Sequence, residues 1–374
     1  MKSTLIFLML GLMLGSGLCW AQAPANCTPN PLNIPEAKYP CIFPDNRVMY
    51  RVIAPNAQSV RVGSLALTKG PDNIWSGTTP QPVVEGFHYY GVNIDGATVA
   101  DPSTRTYFGS GWWNSGIEIP APDQEFYQPR NGIPHGRVSE QWYFSTVTNK
   151  WRRCFVYTPP DYDGKSTKYP VFYLLHGWGE DETAWFTQGR VDFIMDNLIA
   201  EKKAKPMIVV MPAGHTGPFR FGPPANRSFE RQMDEFGDDF VKDVKPYVEG
   251  RYRIVGDRVH RAIAGLSMGG AESLLVGLNN LDKFAYIGAF SSGGFTEEYE
   301  KQFPGLDTKA NEKIRLLWIA CGTDDGLIEA NRKFRAWLKD KGVKHEDIET
   351  PGAHTWMVWR RNLATFTPLL FQGM

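Results

Sequence analysis

The sequence predicts an α/β fold: a mostly parallel sheet covered on both faces by helices, preceded by a small all-β sandwich. Three observations carry this. From residue 136 onward, apolar runs of strand length alternate with helix-length amphipathic stretches, the pattern of a parallel sheet with crossover helices. Before about residue 120 the runs are shorter, alternate apolar with polar, and are separated by turn residues, as in an antiparallel sandwich. Between Arg261 and Gly270 an apolar run feeds Gly265-x-Ser267-x-Gly269 and then a helix-like pattern, so a strand must turn sharply into a helix at Ser267.

Met1-Lys2-Ser3-Thr4, an apolar stretch from Leu5 to Leu18, and Cys19-Trp20-Ala21-Gln22 read as a secretory signal peptide over residues 1–21, cut near Ala21. A secreted or periplasmic location is expected. Leu18 stands where a lipoprotein signal would place a small residue before Cys19, which argues against a lipid anchor, and no later run has the length of a membrane span. Residues 22–46 are rich in Pro and Asn without periodicity and predict an extended lead-in, which Cys27 and Cys41 could staple in an oxidising compartment. Cys154 and Cys321 sit within apolar strand-like runs, and buried free thiols are expected there.

Residues 47–120 form the predicted sandwich, with strands at Val48 to Ile53, Ser59 to Val62, Asn73 to Ser76 and His88 to Ile94. Its aromatics Trp75, Tyr89, Tyr90, Trp112 and Trp113 suit a sugar-stacking surface, but filling the core or a domain interface is the simpler expectation. A Pro- and Gly-rich stretch beginning at Ser115 gives a linker over residues 121–135. The second domain, 136–374, opens with a hairpin of Arg137 to Ser145 and Trp151 to Thr158, turning at Thr148-Asn149-Lys150. Strands follow at Tyr169 to Leu175, Met207 to Met211, Val259 to Ala264, Tyr286 to Phe290 and Ile314 to Ala320. Helices are predicted at Arg190 to Glu201, Asp234 to Glu249, Gly269 to Asn279, Leu327 to Lys341 and Thr355 to Leu370.

Forty basic and forty acidic residues cancel, which leaves no electrostatic footprint for nucleic acid or a membrane surface. No His, Cys and carboxylate cluster at ligand spacing appears, so neither metal nor organic cofactor is implied.

A serine hydroxyl near neutral pH needs a base to take its proton, and the base needs a partner to fix its tautomer. Both follow Ser267 in the order that this turn motif usually shows. The strand Ile314 to Ala320 is followed by Asp324 and Asp325, in a loop at the strand's C-terminal edge, where sites in open parallel sheets collect. Asp325 is the preferred acid, with Asp324 the alternative, the other capping the next helix. His354, in a Gly-containing loop before the last helix, is the expected general base. One oxyanion donor is the amide of Met268, at the start of the elbow helix, and the second is the amide of Trp178 in His176-Gly177-Trp178-Gly179, with His176 bracing that loop.

Leu174-Leu175-His176-Gly177, Ala264-Gly265-Leu266-Ser267-Met268-Gly269-Gly270, Ala320-Cys321-Gly322-Thr323-x-Asp325 and Gly352-Ala353-His354 together resemble the esterase D-like branch of the α/β-hydrolases, and in particular the feruloyl esterases of carbohydrate esterase family one. The resemblance spans most of residues 131–374. It implies a Ser267, His354, Asp325 triad, an oxyanion hole at Met268 and Trp178, and a feruloylated xylo-oligosaccharide or arabinoxylan as substrate. Pro351-Gly352-Ala353 is less Gly-rich than that family's loop. In the sandwich, Ala54-Pro55-Asn56-Ala57, Trp75-Ser76, Tyr89-Tyr90 and the turns Asp95-Gly96 and Asp101-Pro102 resemble immunoglobulin-like modules of the glycogen-binding type.

A hydroxycinnamoyl ester calls for an apolar slot ending at Ser267. Trp178, Trp356, Phe219 and Phe221 are the expected lining, with Trp185 and Trp359 as further candidates. An acetyl xylan esterase would keep the triad and close the slot; a siderophore esterase of the enterobactin type would line its mouth with basic residues; a non-catalytic glycan-binding protein would be expected to lack part of the triad.

Overall fold

The computed structural model describes residues 24–217, 229–294 and 296–373. The signal-peptide stretch, Phe219 and Phe221 lie outside them.

The second half of the chain forms an eight-stranded sheet. Arg137–Ser145 and Lys150–Thr158 make the antiparallel hairpin at one edge, and Ile208–Pro212 joins it antiparallel. Val171–Leu175, Arg261–Leu266, Tyr286–Phe290, Leu316–Gly322 and Glu346–Thr350 then continue in parallel to the other edge. The central strands read as unbroken apolar runs because both faces are covered. Alternate residues still part cleanly. Phe172, Leu174, Val209, Met211, Ala262, Ala264 and Ala320 face a core shared with the helices Val191–Ala200 and Trp356–Phe366. Tyr173, Leu175, Ile208, Val210, Ile263, Ile287 and Ile319 face the opposite core. That second core is closed by the elbow helix Met268–Leu278, the helix Ile328–Asp340 and a long helix from Phe229 to Arg251.

The long helix starts before the predicted Asp234 and widens to a π-turn over Phe240–Val244. Pro246 follows at the head of the last helical segment and has no amide to give to the ladder, a local irregularity of the kind that favours such a turn.

The N-terminal region is all β, in three antiparallel sheets. The predicted strands are present at Val48–Ile53, Val60–Val62, Ile74–Thr78, Gly86–Tyr90 and Val92–Ile94. Two expectations change. The lead-in is not simply extended: Thr28–Pro29 pairs with Cys41–Ile42, which in turn pairs with Val48–Ile53, and the Cys27–Cys41 disulfide fastens that edge. The stretch from Ser115 is strand as far as Ile119, because Trp112–Ile119 pairs with Gly86–Tyr90. Gly116 lies within that strand; a Cβ there would lie 2.5 Å from the Tyr107 ring, so the glycine makes room for a core aromatic. Trp75 and Tyr90 are buried, and among the aromatics considered for a sugar surface only Trp112 and Trp113 are exposed. Cys154 and Cys321 are buried free thiols, and burial pushes both up to about 12, which makes them inert.

The three-stranded sheet packs onto the last helix, and the two halves share one core through Phe87, Tyr107, Tyr127, Trp356 and Met357. Gly86, at φ +92°, lies against Met357, where a Cβ would approach to 2.8 Å. At the centre Arg360, fully buried, donates to both Glu118 carboxylate oxygens at 2.6 and 3.0 Å and to the Gln188 carbonyl, with its guanidinium 4.3 Å from the Tyr127 ring centre. A buried pair of this kind costs much when broken and little when replaced whole. Arg360→Ala is therefore expected to lower the unfolding free energy by about 3–5 kcal/mol, and Arg360→Met with Glu118→Leu to cost clearly less. Urea unfolding of the two variants checks the ordering.

Candidate active site

Ser267 follows the strand Arg261–Leu266 directly and caps the helix Met268–Leu278 with φ 50° and ψ −115°. That strained conformation turns strand into helix within one residue. The flanking glycines are obligatory for contact reasons: a Cβ on Gly265 would sit 2.4 Å from the Gly269 carbonyl oxygen, and one on Gly269 would sit 2.5 Å from the Leu175 and His176 carbonyl oxygens. The Ser267 amide donates to the Phe290 carbonyl at 2.8 Å and its carbonyl accepts from the Gly293 amide at 3.1 Å, which pins the turn on both sides. Met268 opens the elbow helix, so its amide belongs to the first turn, whose N–H groups have no partner within the helix.

Asp325 and His354 follow the next strands but one and but two in the sheet, Leu316–Gly322 and Glu346–Thr350, on the same edge as Ser267. The two loops are tied together, since the Thr323 amide donates to the Thr350 carbonyl and the Asp324 amide to the Gly352 carbonyl. His354 Nδ1 donates to Asp325 Oδ2 at 2.8 Å, while Asp325 Oδ1 accepts the Leu327 amide at 2.9 Å. Burial opposes ionisation of Asp325, but the His354 hydrogen bond and charge and the Leu327 amide outweigh it and hold the carboxyl below the usual range. Asp324 is exposed, one residue away.

The loop after Val171–Leu175 is braced from several directions. His176 is buried, accepts the Gly214 amide at Nε2 (2.9 Å) and donates from Nδ1 to the Gly177 carbonyl (2.9 Å); burial lowers its proton affinity, so the ring is neutral. The Gly179 amide donates to His215 Nε2 at 3.1 Å. Burial, with the neighbouring His176, brings His215 down to about 3, which keeps that nitrogen an acceptor. Trp178 is half-buried, with its ring edge-on to His215 at 5.0 Å.

The expected aromatic wall changes at Trp356. Its ring is 2% exposed and packs T-shaped on Trp185 and Trp359, both at 5.3 Å. Trp356, Trp359 and Trp185 are core beneath the site, because the apolar face of the last helix turns inward there; Trp359 in turn supports the His354 ring edge-on at 4.8 Å. Phe219 and Phe221 lie outside the described residues.

Reading the sequence missed Glu180. It is buried, accepts the Gly177 amide at 3.0 Å, and is hydrogen-bonded by Tyr89 of the N-terminal region at 3.1 Å. Burial raises its carboxyl to about 7 against the pull of the Gly177 amide, the Tyr89 hydroxyl and the charge of His354. The only sequence signal was an acid placed inside a His-Gly loop. Among the described residues no group of His, Cys, Asp and Glu is arranged to hold a metal ion, and no helix is long and apolar enough to cross a membrane.

The model of the family described as "Putative esterase" matches residues 145–370. An endo-1,4-beta-xylanase/feruloyl esterase of Xylanibacter ruminicola is 40% identical over 356 residues, which are 92% of this chain and 47% of that protein. The chain thus spans about half the length of that relative. The CE1 ferulic acid esterase of the anaerobic fungus Anaeromyces mucronatus superposes with a TM-score of 0.58 at 26% identity, over 67% of this chain and 96% of that one. The enterobactin esterase of Shigella flexneri gives a TM-score of 0.64 at 17% identity over 87% of this chain and 93% of that one, a likeness of fold that takes in most of the N-terminal region too. With the family match covering more than half of its length, the chain belongs to this esterase family and is a carboxylic ester hydrolase with the α/β-hydrolase fold.

Proposed function

We propose that the protein is a secreted feruloyl esterase that releases ferulic or related hydroxycinnamic acids from arabinoxylan, with Ser267 as nucleophile, His354 as general base and Asp325 as its partner. The observation that carries this reading is the 2.8 Å bond between His354 Nδ1 and Asp325 on the sheet edge that presents the strained Ser267. The xylanase/feruloyl esterase relative supports the choice of substrate.

In the proposed cycle Ser267 Oγ attacks the ester carbonyl carbon while its proton passes to His354 Nε2. The Met268 and Trp178 amides receive the oxyanion. Collapse breaks the bond to the sugar oxygen, which takes the proton from His354, and leaves a feruloyl-Ser267 ester. Water, deprotonated by His354, then attacks that ester and regenerates the serine. Asp325 keeps the His354 proton on Nδ1 and offsets the charge that the imidazole gains.

The sugar side of the substrate would lie toward the hairpin of Thr106–Gly109 and Trp112–Ile119. Its turn touches the catalytic loop, the Gly111 amide donating to the Gly179 carbonyl at 2.8 Å, and Trp112 and Trp113 stand exposed beside it. In this reading the N-terminal region is an immunoglobulin-like module and the mature chain begins near residue 22.

Purified wild type and Ser267→Ala are compared on methyl ferulate, an acetylated xylo-oligosaccharide and a cyclic catecholate triester. Ferulate release that vanishes in the variant is the expected result. Acetate release alone would replace the acyl group, and release from the triester alone would move the protein to the enterobactin-type reading, whose esterase shares the fold over 87% of this chain.

A further inference from the structure

We propose that Tyr89, in the N-terminal β region, is a positioning residue for the ester hydrolysis, acting through Glu180 on the peptide that carries the Trp178 amide. The inference rests on the reading of Trp178 as an oxyanion donor.

A peptide unit is planar, so the direction of the Trp178 N–H is set by whatever holds the Gly177 carbonyl. That carbonyl accepts from His176 Nδ1 at 2.9 Å and from the Glu180 amide at 3.3 Å. Glu180 also closes the ring from its side chain, its Oε2 accepting the Gly177 amide at 3.0 Å. Gly177 lies directly over the elbow: a Cβ there would be 2.6 Å from Leu266 Cδ1 and 3.5 Å from Ser267 Cβ, so displacement of this turn moves the donor relative to the nucleophile.

What fixes Glu180 comes from the other half of the molecule. Tyr89 Oη donates to Glu180 Oε1 at 3.1 Å and accepts from Gln188 Nε2 at 2.5 Å, and Gln188 donates in turn to the Phe108 carbonyl at 3.0 Å. The Tyr89 ring is held edge-on against Phe87 at 4.9 Å, and it lies across Gly109, where a Cβ would be 2.3 Å from Cζ. Burial keeps the phenol protonated, hence a donor. Together with the contact of Gly111 on Gly179, this makes the N-terminal region a wall of the oxyanion hole, beyond any part it has in holding sugar.

Tyr89→Phe removes one hydroxyl and leaves the ring packing in place. Expected is a kcat about 10-fold lower with KM within about twofold, a smaller loss than the ~10²–10³ for deleting a donor itself. Glu180→Gln, which keeps one side-chain acceptor where the carboxylate offers two, should do the same. Both are measured on methyl ferulate and on p-nitrophenyl acetate, an ester that needs the oxyanion hole but no feruloyl slot. Wild type active on the second ester alone would sink the feruloyl assignment and leave this test standing. The decisive readout is inhibition by an aryl trifluoromethyl ketone, whose carbonyl becomes an oxyanion when Ser267 Oγ bonds to its carbon and the serine proton moves to His354. Its affinity should fall by the same factor as kcat, with ferulate product inhibition unchanged. Unchanged kcat and ketone affinity in either folded variant would overturn the proposal, as would an equal loss in ferulate binding, which would mark a packing defect. Thermal melting identifies the folded variants, and Glu180→Gln carries the test if Tyr89→Phe does not fold.

Discussion

His354→Ala is expected to lower kcat on the preferred ester by about 10⁶-fold, Ser267→Ala by about the same, and the double variant by no more than either alone. The equality follows from the roles assigned to them. Without the imidazole the Ser267 hydroxyl keeps its proton, and without the hydroxyl the imidazole has nothing to activate. An additive loss would mean that the two act independently and would remove the acyl-enzyme cycle. Residual hydrolysis of about 10³–10⁴ over water should persist in both variants from the oxyanion hole and substrate binding. Folding should be little affected, since Ser267 is held through its backbone and Trp359 remains packed on its other neighbours when the His354 ring is lost. Single-turnover kinetics with matched thermal melts checks both halves of the expectation.

The parts of this molecule that could be read from sequence are those set by local chemistry. The glycines around Ser267, the apolar runs of the parallel strands and the acid-then-histidine order each depend on residues close together in the chain, and the architecture follows from them. Two-residue strands such as Leu65–Ala66 and Thr68–Lys69 are too short to show a period, so the N-terminal sheets were only partly legible. Trp356 failed for a different reason. An aromatic just after the histidine loop suits a substrate wall or a core equally, and only the packing of the last helix on Trp185 decides for the core. The bonding roles of Tyr89, Glu180, Gln188, Glu118 and Arg360 could not be found from sequence, because each is defined by a partner that the chain brings near only in the fold, from as far as 242 positions away.

Asp325→Asn is expected to lower kcat by about 10⁴-fold with little change in KM, whereas Asp324→Asn should stay within about twofold of wild type on the same ester, as exposed polar changes away from packed features generally do. Adjacent acids in one loop make this a sharp comparison. The Asp325 carboxylate accepts both the His354 Nδ1 proton and the Leu327 amide. An asparagine there can offer its NH₂ to the histidine, and an NH₂ favours the tautomer that carries its proton on Nε2, where Ser267 needs a vacant lone pair. The expected loss is thus one of proton transfer. It should be smaller for a substrate with an activated leaving group only if the general-acid step limits the rate, which pairing methyl ferulate with p-nitrophenyl ferulate tests. The Asp325 carboxyl is held below its ordinary pKa in the fold, so the stability it contributes is present above the unfolded value near 3.8 and is lost as pH falls through the lower folded value. Above that window Asp325→Asn therefore removes a stabilising charge, and below it the variant and wild type should converge in melting temperature. Equal effects of the two substitutions on kcat would reject Asp325 as the partner of His354, and a large effect of Asp324→Asn alone would transfer the role to its neighbour.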